Sequence, residues 1–284
     1  MNVILCAGIS VRSGTNYMGS IFSEISAVNS LPNTTSKGEF TFFPDRTYQF
    51  YKEWVKGFQS TFFAYPNIGE AKMAPYFAKG FVDYLQNEYD LNEKSVFLKN
   101  PSLYNLERFY DFFPNGKLII LTRSAPDLIA SSLKASTLIR NSKSNFSKLK
   151  SKLKFYSGYN MYSFSKAYVK HANQLLKLRK ELEGNFLEVK YEDIVAEPEK
   201  LIRTILEYAE VDYTELELEN AVNAKVVGSS YFGRKKHIQN WSKLEKTEEF
   251  KSIGRYKNWS LFNRFVYNKI ASKSNFIIGY NHKL

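Results

Sequence analysis

Short apolar runs alternate along this chain with longer stretches in which apolar residues recur at helical spacing. The runs Val3–Ala7, Val96–Lys99, Lys117–Thr122 and Asn185–Tyr191 predict buried strands. The helical spacing predicts helices at Thr15–Ser26, Tyr48–Phe63, Met73–Tyr89, Leu103–Phe113, Tyr162–Leu182 and Pro198–Ala209. A further helix is predicted to begin near Pro126. Strands separated by helices are typical of a three-layer α/β/α fold around a central parallel sheet.

The composition is that of one globular domain, which we expect to span residues 1–284. Apolar residues make up 44% of the chain, and no repeat or flexible linker divides it. No stretch approaches the roughly 18 apolar residues of a membrane span, and the first apolar run is too short for a signal peptide. These features predict a soluble, cytoplasmic protein. The single cysteine, Cys6, excludes an internal disulfide and a cysteine-based zinc site, and its place within a strand favours a buried structural role.

The net charge of +12 is concentrated in one part of the chain. No acidic residue lies between Asp127 and Glu181, a window that holds 12 Lys and Arg and includes the basic segment 134–154. Such a segment forms either a solvated surface or a basic rim that attracts an anionic ligand or acceptor. No recognised nucleic-acid-binding motif accompanies it, so we do not expect nucleic acid as a partner.

The turn after the first strand has the chemistry of an anion site. It occupies the residues Ser10–Asn16, at the carboxyl end of a strand and the start of a helix, where backbone N–H groups and the helix dipole favour an anion. Gly14 allows close approach, and Arg12 adds a cationic fork. The Gly-Lys-[Ser/Thr] sequence of a P-loop kinase is missing, which argues against a nucleotide kinase.

A second anion-binding segment follows the strand Lys117–Thr122. Arg123 comes directly after the strand, and Ser131 lies eight residues later, in the second turn of the next helix. This spacing brings both side chains within reach of one anion. Two structural roles would explain the presence of Arg123 equally well. It could cap the helix that follows, or it could pair with Asp127.

Together, these two segments resemble the 3′-phosphoadenosine 5′-phosphosulfate (PAPS)-dependent sulfotransferases. The 5′-phosphosulfate loop of that family reads [KR]-S-G-T-[ST], matched by Arg12-Ser13-Gly14-Thr15, with Asn16 departing at the last position. The family's 3′-phosphate motif pairs a strand-end arginine with a serine eight residues on, as in Arg123 and Ser131. The extra residue before Pro126 is a departure from that motif.

Two later segments extend the resemblance over almost the whole chain. The segment VKYEDIVAEPEKLIRTIL (189–206) is similar to the family's Y-E-D-L region, and SSYFGRKKHIQNW (229–241) is similar to its late basic loop. The resemblance implies a P-loop-like sulfotransferase fold, PAPS as donor, 3′,5′-ADP as product and no required metal. It also implies a cofactor site formed by Arg12, Ser13, Gly14, Thr15, Asn16, Tyr17, Arg123, Ser131, Tyr191, Arg234, Lys235 and Lys236.

The resemblance further implies three catalytic groups. Lys99, at the end of a strand, and Arg12 would stabilise the leaving group, and Glu39 in KGEFTFF would act as general base, as in the carbohydrate and heparan-type branch. The alternative readings are a surface lysine for Lys99 and a solvated loop carboxylate for Glu39. His171 is the alternative base, because the cytosolic branch uses a histidine.

The expected acceptor is a hydroxyl or amine of a carbohydrate or small-molecule metabolite, and the basic segment would suit an anionic glycan. The alternatives are sulfation of a peptide tyrosine, a P-loop nucleotide kinase, and a non-catalytic module that binds polyanions. No feature of the sequence specifies an oligomeric state.

Overall fold

The computed structural model describes residues 2–31, 45–60, 69–89, 94–141, 157–225, 252–281 and 284. Within these residues, the strands form one parallel sheet in the order β2-β3-β1-β4-β5. The strands are β1 (Val3–Gly8), β2 (Val28–Leu31), β3 (Ser95–Asn100), β4 (Lys117–Thr122) and β5 (Leu187–Lys190).

Helices cover both faces of this sheet. The helices are α1 (Thr15–Phe22), α2 (Asp45–Ser60), α3 (Glu70–Tyr89), α4 (Phe109–Phe112), α5 (Ala125–Asn141), α6 (Tyr159–Glu181), α7 (Tyr191–Ala196), α8 (Pro198–Tyr208), α9 (Glu215–Val222), α10 (Leu261–Ile270) and α11 (Ser272–Ile277). Short 3₁₀ turns occupy Leu106–Arg108 and Arg255–Asn258. In the part of the chain described above, no helix combines the length and the apolar character needed to cross a membrane.

The alternation of side chains along β1 divides the core between the two faces. Leu5 and Ala7 belong to a cluster with α2, α3, α5, α6 and α10, whereas Ile4 and Cys6 belong to a cluster with α1, α8 and α9. Successive residues of a strand point to opposite faces, so a strand in the middle of the sheet is apolar throughout. The predicted three-layer α/β/α fold with a central parallel sheet is therefore confirmed.

Several predicted boundaries differ from the observed ones for local reasons. The first helix ends at Phe22, before the predicted Ser26, and Ser23 donates its hydroxyl to Ser20 O at 2.7 Å. Serine side chains that bond nearby carbonyls compete with helix continuation. The chain then forms β2, an edge strand whose sequence, VNSL, alternates too weakly for recognition.

The predicted helix Leu103–Phe113 is also wrong in its extent. It consists of the 3₁₀ turn and the single-turn α4, which begins only at Phe109. Tyr191, predicted as the last residue of a strand, instead begins α7. The remaining predicted helices and strands are present, and their described ends differ from the predicted ones by a few residues. Residues 61–63 of the predicted helix Tyr48–Phe63 lie outside the described residues.

Candidate active site

The anion-binding loop lies at the middle of the sheet's carboxyl edge. β1 pairs with β3 on one side and with β4 on the other. After β1, the chain first forms β2 and β3 on one side of that strand, and then forms β4 and β5 on the other side. In open parallel sheets, ligands bind at such a switch in strand order, outside the carboxyl ends of the strands.

Backbone and serine hydrogen bonds hold the loop in a tight turn. The Ser13 hydroxyl donates to Ser10 O at 2.6 Å and accepts from Ser10 N at 3.0 Å. Arg12 (φ 77°) and Gly14 (φ 112°) both have left-handed backbone conformations. Gly14 is the N-cap of α1, and because it has no side chain it leaves the first amides of the helix without a side-chain cap. Those amides are the donors that an anion at this position would use.

Tyr191 connects this loop to the second predicted anion site. A Cβ atom on Gly14 would lie 2.5 Å from the Tyr191 ring, and the guanidinium carbon of Arg123 lies 4.6 Å from the ring centroid. The ring also makes an edge contact with Tyr17, at 6.3 Å between centroids. Tyr191 is therefore packed between the two segments, and its part in the cofactor site stays a prediction.

Arg123 is a buried arginine that binds two separate pieces of backbone. It is 5% exposed, and its Nη1 and Nη2 atoms donate to Arg12 O at 2.8 Å and to Ser252 O at 2.5 Å. Its Nε is also buried, with no hydrogen-bond partner among the described residues. Arg12 in turn donates from Nε to the hydroxyl of the buried Ser131 at 3.3 Å. The predicted site residues Arg12, Arg123 and Ser131 are thus linked by hydrogen bonds from Arg123 to Arg12 O and from Arg12 to Ser131.

A third arginine, Arg255, joins this cluster, and sequence reasoning missed it. The pKa of Arg12 is lowered to about 10, first by burial and then by the positive charges of Arg123 and Arg255. Arg12 stays protonated at neutral pH, so three positively charged side chains repel one another within a partly buried cluster. An anion bound there would relieve the repulsion. Gly254, with φ 78°, directly precedes Arg255, but a Gly-Arg pair alone is no motif from which this position could be predicted.

Asp127 holds Arg255 in place. This carboxylate is 1% exposed and accepts from Arg255 N at 3.0 Å and from the Ser124 hydroxyl at 3.3 Å. Burial raises its pKa, and the charge of Arg123 acts in the opposite direction. Asp127 therefore anchors the segment from Ser252 to Arg255 against the start of α5.

Lys99 is fully buried, so its alternative reading as a surface lysine is wrong. Its exposure is 0%, and it stands one residue before the end of β3, in register with Cys6 of β1. Cys6 and Lys99 lie on the same face of the sheet as α1. Burial raises the pKa of the Cys6 thiol, and nearby Lys99 lowers it. Lys99 thus reaches the carboxyl edge beside the strand that carries the anion-binding loop.

Comparison with known families identifies the family of the chain. Residues 8–215 match the sequence profile described as the Sulfotransferase family. The chain belongs to the sulfotransferase family. This matched range contains the loop after β1, Lys99, Arg123, Ser131 and Tyr191, but not Arg255. The protein is a sulfotransferase enzyme, and the family that the sequence resembles is confirmed.

Two solved sulfotransferase domains share the fold. The domain from the Synechococcus PCC 7002 olefin synthase is 17% identical, with a TM-score of 0.54, over 96% of this chain and 94% of that one. The domain from the curacin biosynthetic pathway is also 17% identical, with a TM-score of 0.53, over 99% of both chains. No curated protein matches the sequence significantly. At this identity, the likeness shows the fold of this sulfotransferase.

Some predicted site residues lie outside the described part of the chain. These are the candidate base Glu39 and the basic group Arg234, Lys235 and Lys236. The alternative base, His171, lies on α6 with its ring edge-on to Tyr104, at 6.5 Å between centroids. Burial, followed by the charge of Lys170, lowers the pKa of His171.

The position of Gly14 allows a direct test of this sulfotransferase's loop. Gly14→Ala is expected to lower the free energy of unfolding by about 1–3 kcal/mol, because alanine has to adopt a left-handed backbone and its methyl group would clash with Tyr191. Affinity for 3′,5′-ADP is expected to fall in parallel. Urea unfolding and calorimetry measure the two effects.

Gly80→Ala in α3 is the matched control. A Cβ atom at Gly80 meets nothing within 4 Å, so this substitution is expected to stabilise the helix by about 0.5–1 kcal/mol. Equal stabilities of the Gly14 and Gly80 variants would contradict the described packing of Tyr191 against the loop.

Proposed function

We propose that this sulfotransferase moves the sulfuryl group of PAPS to a hydroxyl or amine of a carbohydrate or another small metabolite. The observation that carries the proposal is the convergence of Arg12, Arg123 and Arg255 beside the uncapped start of α1. A donor with phosphate groups at both ends of its ribose suits a site with cations and amides at two neighbouring strand ends.

The described residues fit the two charged ends of PAPS. The loop from Arg12 to Tyr17 would hold the 5′-phosphosulfate through amides and the Arg12 guanidinium. Arg123 and Ser131 would hold the 3′-phosphate. The buried Nε of Arg123, which has no hydrogen-bond partner within the described part of the chain, is a donor suited to such an anion. Arg255, from its position in the same cluster, would add charge to this end. The predicted group Arg234, Lys235 and Lys236 would contribute to the same phosphate.

The chain's own groups would then act on the charge that develops during transfer. PAPS, when bound, supplies the sulfuryl group and leaves as 3′,5′-ADP. Lys99 and Arg12 would stabilise the negative charge that appears on the 5′-phosphate side, because preorganised cations in a desolvated site cost little reorganisation. A sulfuryl group carries less charge than a phosphoryl group, so side-chain cations can fill the role that Mg²⁺ has in kinases.

A general base is needed because the acceptor hydroxyl has to lose its proton. We assign this role to Glu39, and the acceptor class follows from the same segment, KGEFTFF, which resembles the carbohydrate and heparan-type branch. The Glu39 carboxylate would accept the proton of the acceptor hydroxyl while the acceptor oxygen forms its bond to sulfur.

The base assignment predicts different outcomes for two variants. Glu39→Gln is expected to lower transfer by about 10²–10⁴-fold without changing affinity for 3′,5′-ADP, because it removes the proton acceptor alone. His171→Gln is expected to retain most activity. Transfer of labelled sulfate from PAPS to a panel of sugars and hydroxylated metabolites measures both. An active Glu39→Gln and an inactive His171→Gln would assign the base to His171.

A thermal melt tests the proposed donor of this sulfotransferase. Stabilisation by 3′,5′-ADP but not by ATP with Mg²⁺ is expected, since the loop after β1 lacks the Gly-Lys-[Ser/Thr] sequence of a P-loop kinase. A shift with ATP–Mg²⁺ alone would contradict PAPS as the donor. An absence of any shift with 3′,5′-ADP would overturn the proposal.

A further inference from the structure

A group of large apolar side chains is exposed where α6 begins and α10 begins. We define the aromatic patch as Tyr159 and Tyr162 of α6 together with Leu261, Phe262 and Phe265 of α10. Their exposed fractions are 52%, 47%, 86%, 55% and 59%, respectively. Single exposed apolar residues are ordinary, but a contiguous set on a soluble domain marks an interaction surface.

The members of the aromatic patch are held together by the packing of α10 on α6. The Phe262 ring lies over Gly158, the N-cap of α6, so closely that a Cβ atom there would be 2.4 Å from the ring. Leu261 and Phe265 are four residues apart on α10, and Tyr159 and Tyr162 are three apart on α6, so each pair shares one helix face. The contact of Phe262 with Gly158 brings the start of α10 against the start of α6, so the two pairs lie at neighbouring helix ends.

Cations border the aromatic patch. The Lys166 ammonium lies 5.4 Å from the centre of the Tyr162 ring, and the Lys269 ammonium lies 5.9 Å from that of Phe265. The stretches 128–180 and 250–284 contain no acidic residue and carry 19 of the chain's 40 Lys and Arg. They include all of α10 and all of α6 except its last residue, Glu181. The rest of the chain has 21 basic and 28 acidic residues, so the positive charge is segregated to the stretches that carry the patch.

The aromatic patch lies at the carboxyl edge of the sheet, the same edge that carries the candidate active site. Tyr168 of α6 donates its hydroxyl to Arg123 O at 3.3 Å, which places this part of α6 level with the carboxyl end of β4. Because α6 ends shortly before the parallel strand β5, it runs antiparallel to the strands, and its first residues project beyond the carboxyl edge. Tyr159 precedes Tyr168 by nine residues, about 13 Å along a helix axis.

We propose that the aromatic patch docks on the surface of a lipid bilayer that contains anionic lipids. The apolar side chains of the patch would enter the boundary between lipid headgroups and acyl chains. The lysines beside them would contact the lipid phosphates. The absence of acids from these two stretches removes the repulsion that an anionic membrane would otherwise meet. Docking in this way turns the carboxyl edge, with its cation cluster, towards the membrane.

Vesicle flotation with the full chain tests this surface. The chain is expected to bind vesicles of phosphatidylcholine with about 30% phosphatidylserine and to bind phosphatidylcholine vesicles far less. Salt of about 0.5 M is expected to weaken the binding by screening. The double variant Leu261→Ser/Phe265→Ser is expected to reduce the vesicle partition coefficient by about tenfold or more, because two exposed apolar side chains no longer enter the interface.

The matched control replaces two large exposed side chains of another helix. Tyr76 and Tyr84 of α3 are 73% and 57% exposed, on a helix that also carries acids, and Tyr76→Ser/Tyr84→Ser is expected to bind vesicles like the unchanged chain. Both double variants change solvent-exposed positions and are expected to keep the melting temperature and the affinity for 3′,5′-ADP.

Three results would overturn the proposal. They are no binding to phosphatidylserine vesicles, equal binding with and without phosphatidylserine, and equal loss of binding in both double variants. The first would direct attention to an acidic protein as the occupant of the aromatic patch. Vesicle binding needs neither donor nor acceptor, so a failure here is distinguishable from a failure of the proposed sulfuryl transfer.

Discussion

Lys99→Met is expected to lower kcat by about 10²–10³-fold, the cost of removing one preorganised donor from a developing negative charge. Methionine keeps most of the volume of this fully buried side chain and removes its charge. The effect on kcat is expected to exceed the effect on affinity for 3′,5′-ADP, because the charge that Lys99 would stabilise is greatest during transfer. Single-turnover transfer from labelled PAPS measures the first quantity, and calorimetry measures the second.

Lys94→Met is the control for this experiment. Lys94 is exposed and directly precedes β3, the strand that carries Lys99. Its substitution is expected to leave transfer unchanged. Full turnover by Lys99→Met, with its fold intact in a thermal melt, would remove Lys99 from the catalytic group.

Arg123→Met is expected to raise the Kd for 3′,5′-ADP by about tenfold to a hundredfold, since hydrogen bonds to a charged group contribute about 1.5–3 kcal/mol each. The informative quantity is the ratio of affinities for 3′,5′-ADP and 5′-AMP, which differ only by the 3′-phosphate. If Arg123 binds that phosphate, the ratio falls towards one in the variant. An unchanged ratio would contradict the assignment even if both affinities fell.

Arg123 also holds backbone, so a loss of stability has to be separated from a loss of binding. Its bonds to Arg12 O and Ser252 O are broken in Arg123→Met. Arg123→Lys keeps the charge without the planar fork, and we expect intermediate affinity and intermediate stability. Arg203→Met removes a surface arginine paired with Glu215, which is expected to change stability by less than about 1 kcal/mol and to leave the ratio intact.

The parts of the site that the sequence predicts are those with local signals. Arg12 and Arg123 each follow an apolar run, and parallel strands bring their carboxyl ends to one edge of a sheet. Ser131 follows from the helical spacing after Arg123, and the structure places its hydroxyl 3.3 Å from Arg12 Nε. The burial of Lys99 has a local cause too, since valine, phenylalanine and leucine precede it in a strand beside the central strand.

The parts that the sequence does not predict depend on distant contacts. Arg255 reaches the cluster because its backbone amide binds Asp127, a pairing between segments far apart in the chain. Tyr191 looks like the end of a strand, yet it begins a helix and packs between Gly14 and Arg123. Neither contact has a periodicity or a motif that marks it, so each becomes visible only when the tertiary packing is known.

The central claim of the proposed function is that this site binds a nucleotide with phosphates at both the 3′ and the 5′ positions. Calorimetric titration of the unchanged chain with 3′,5′-ADP in the presence of EDTA tests this property most directly. We predict one binding site per chain, and affinity for 3′,5′-ADP at least about tenfold above that for 5′-AMP. Equal affinity for the two nucleotides, or binding that requires Mg²⁺, would contradict it.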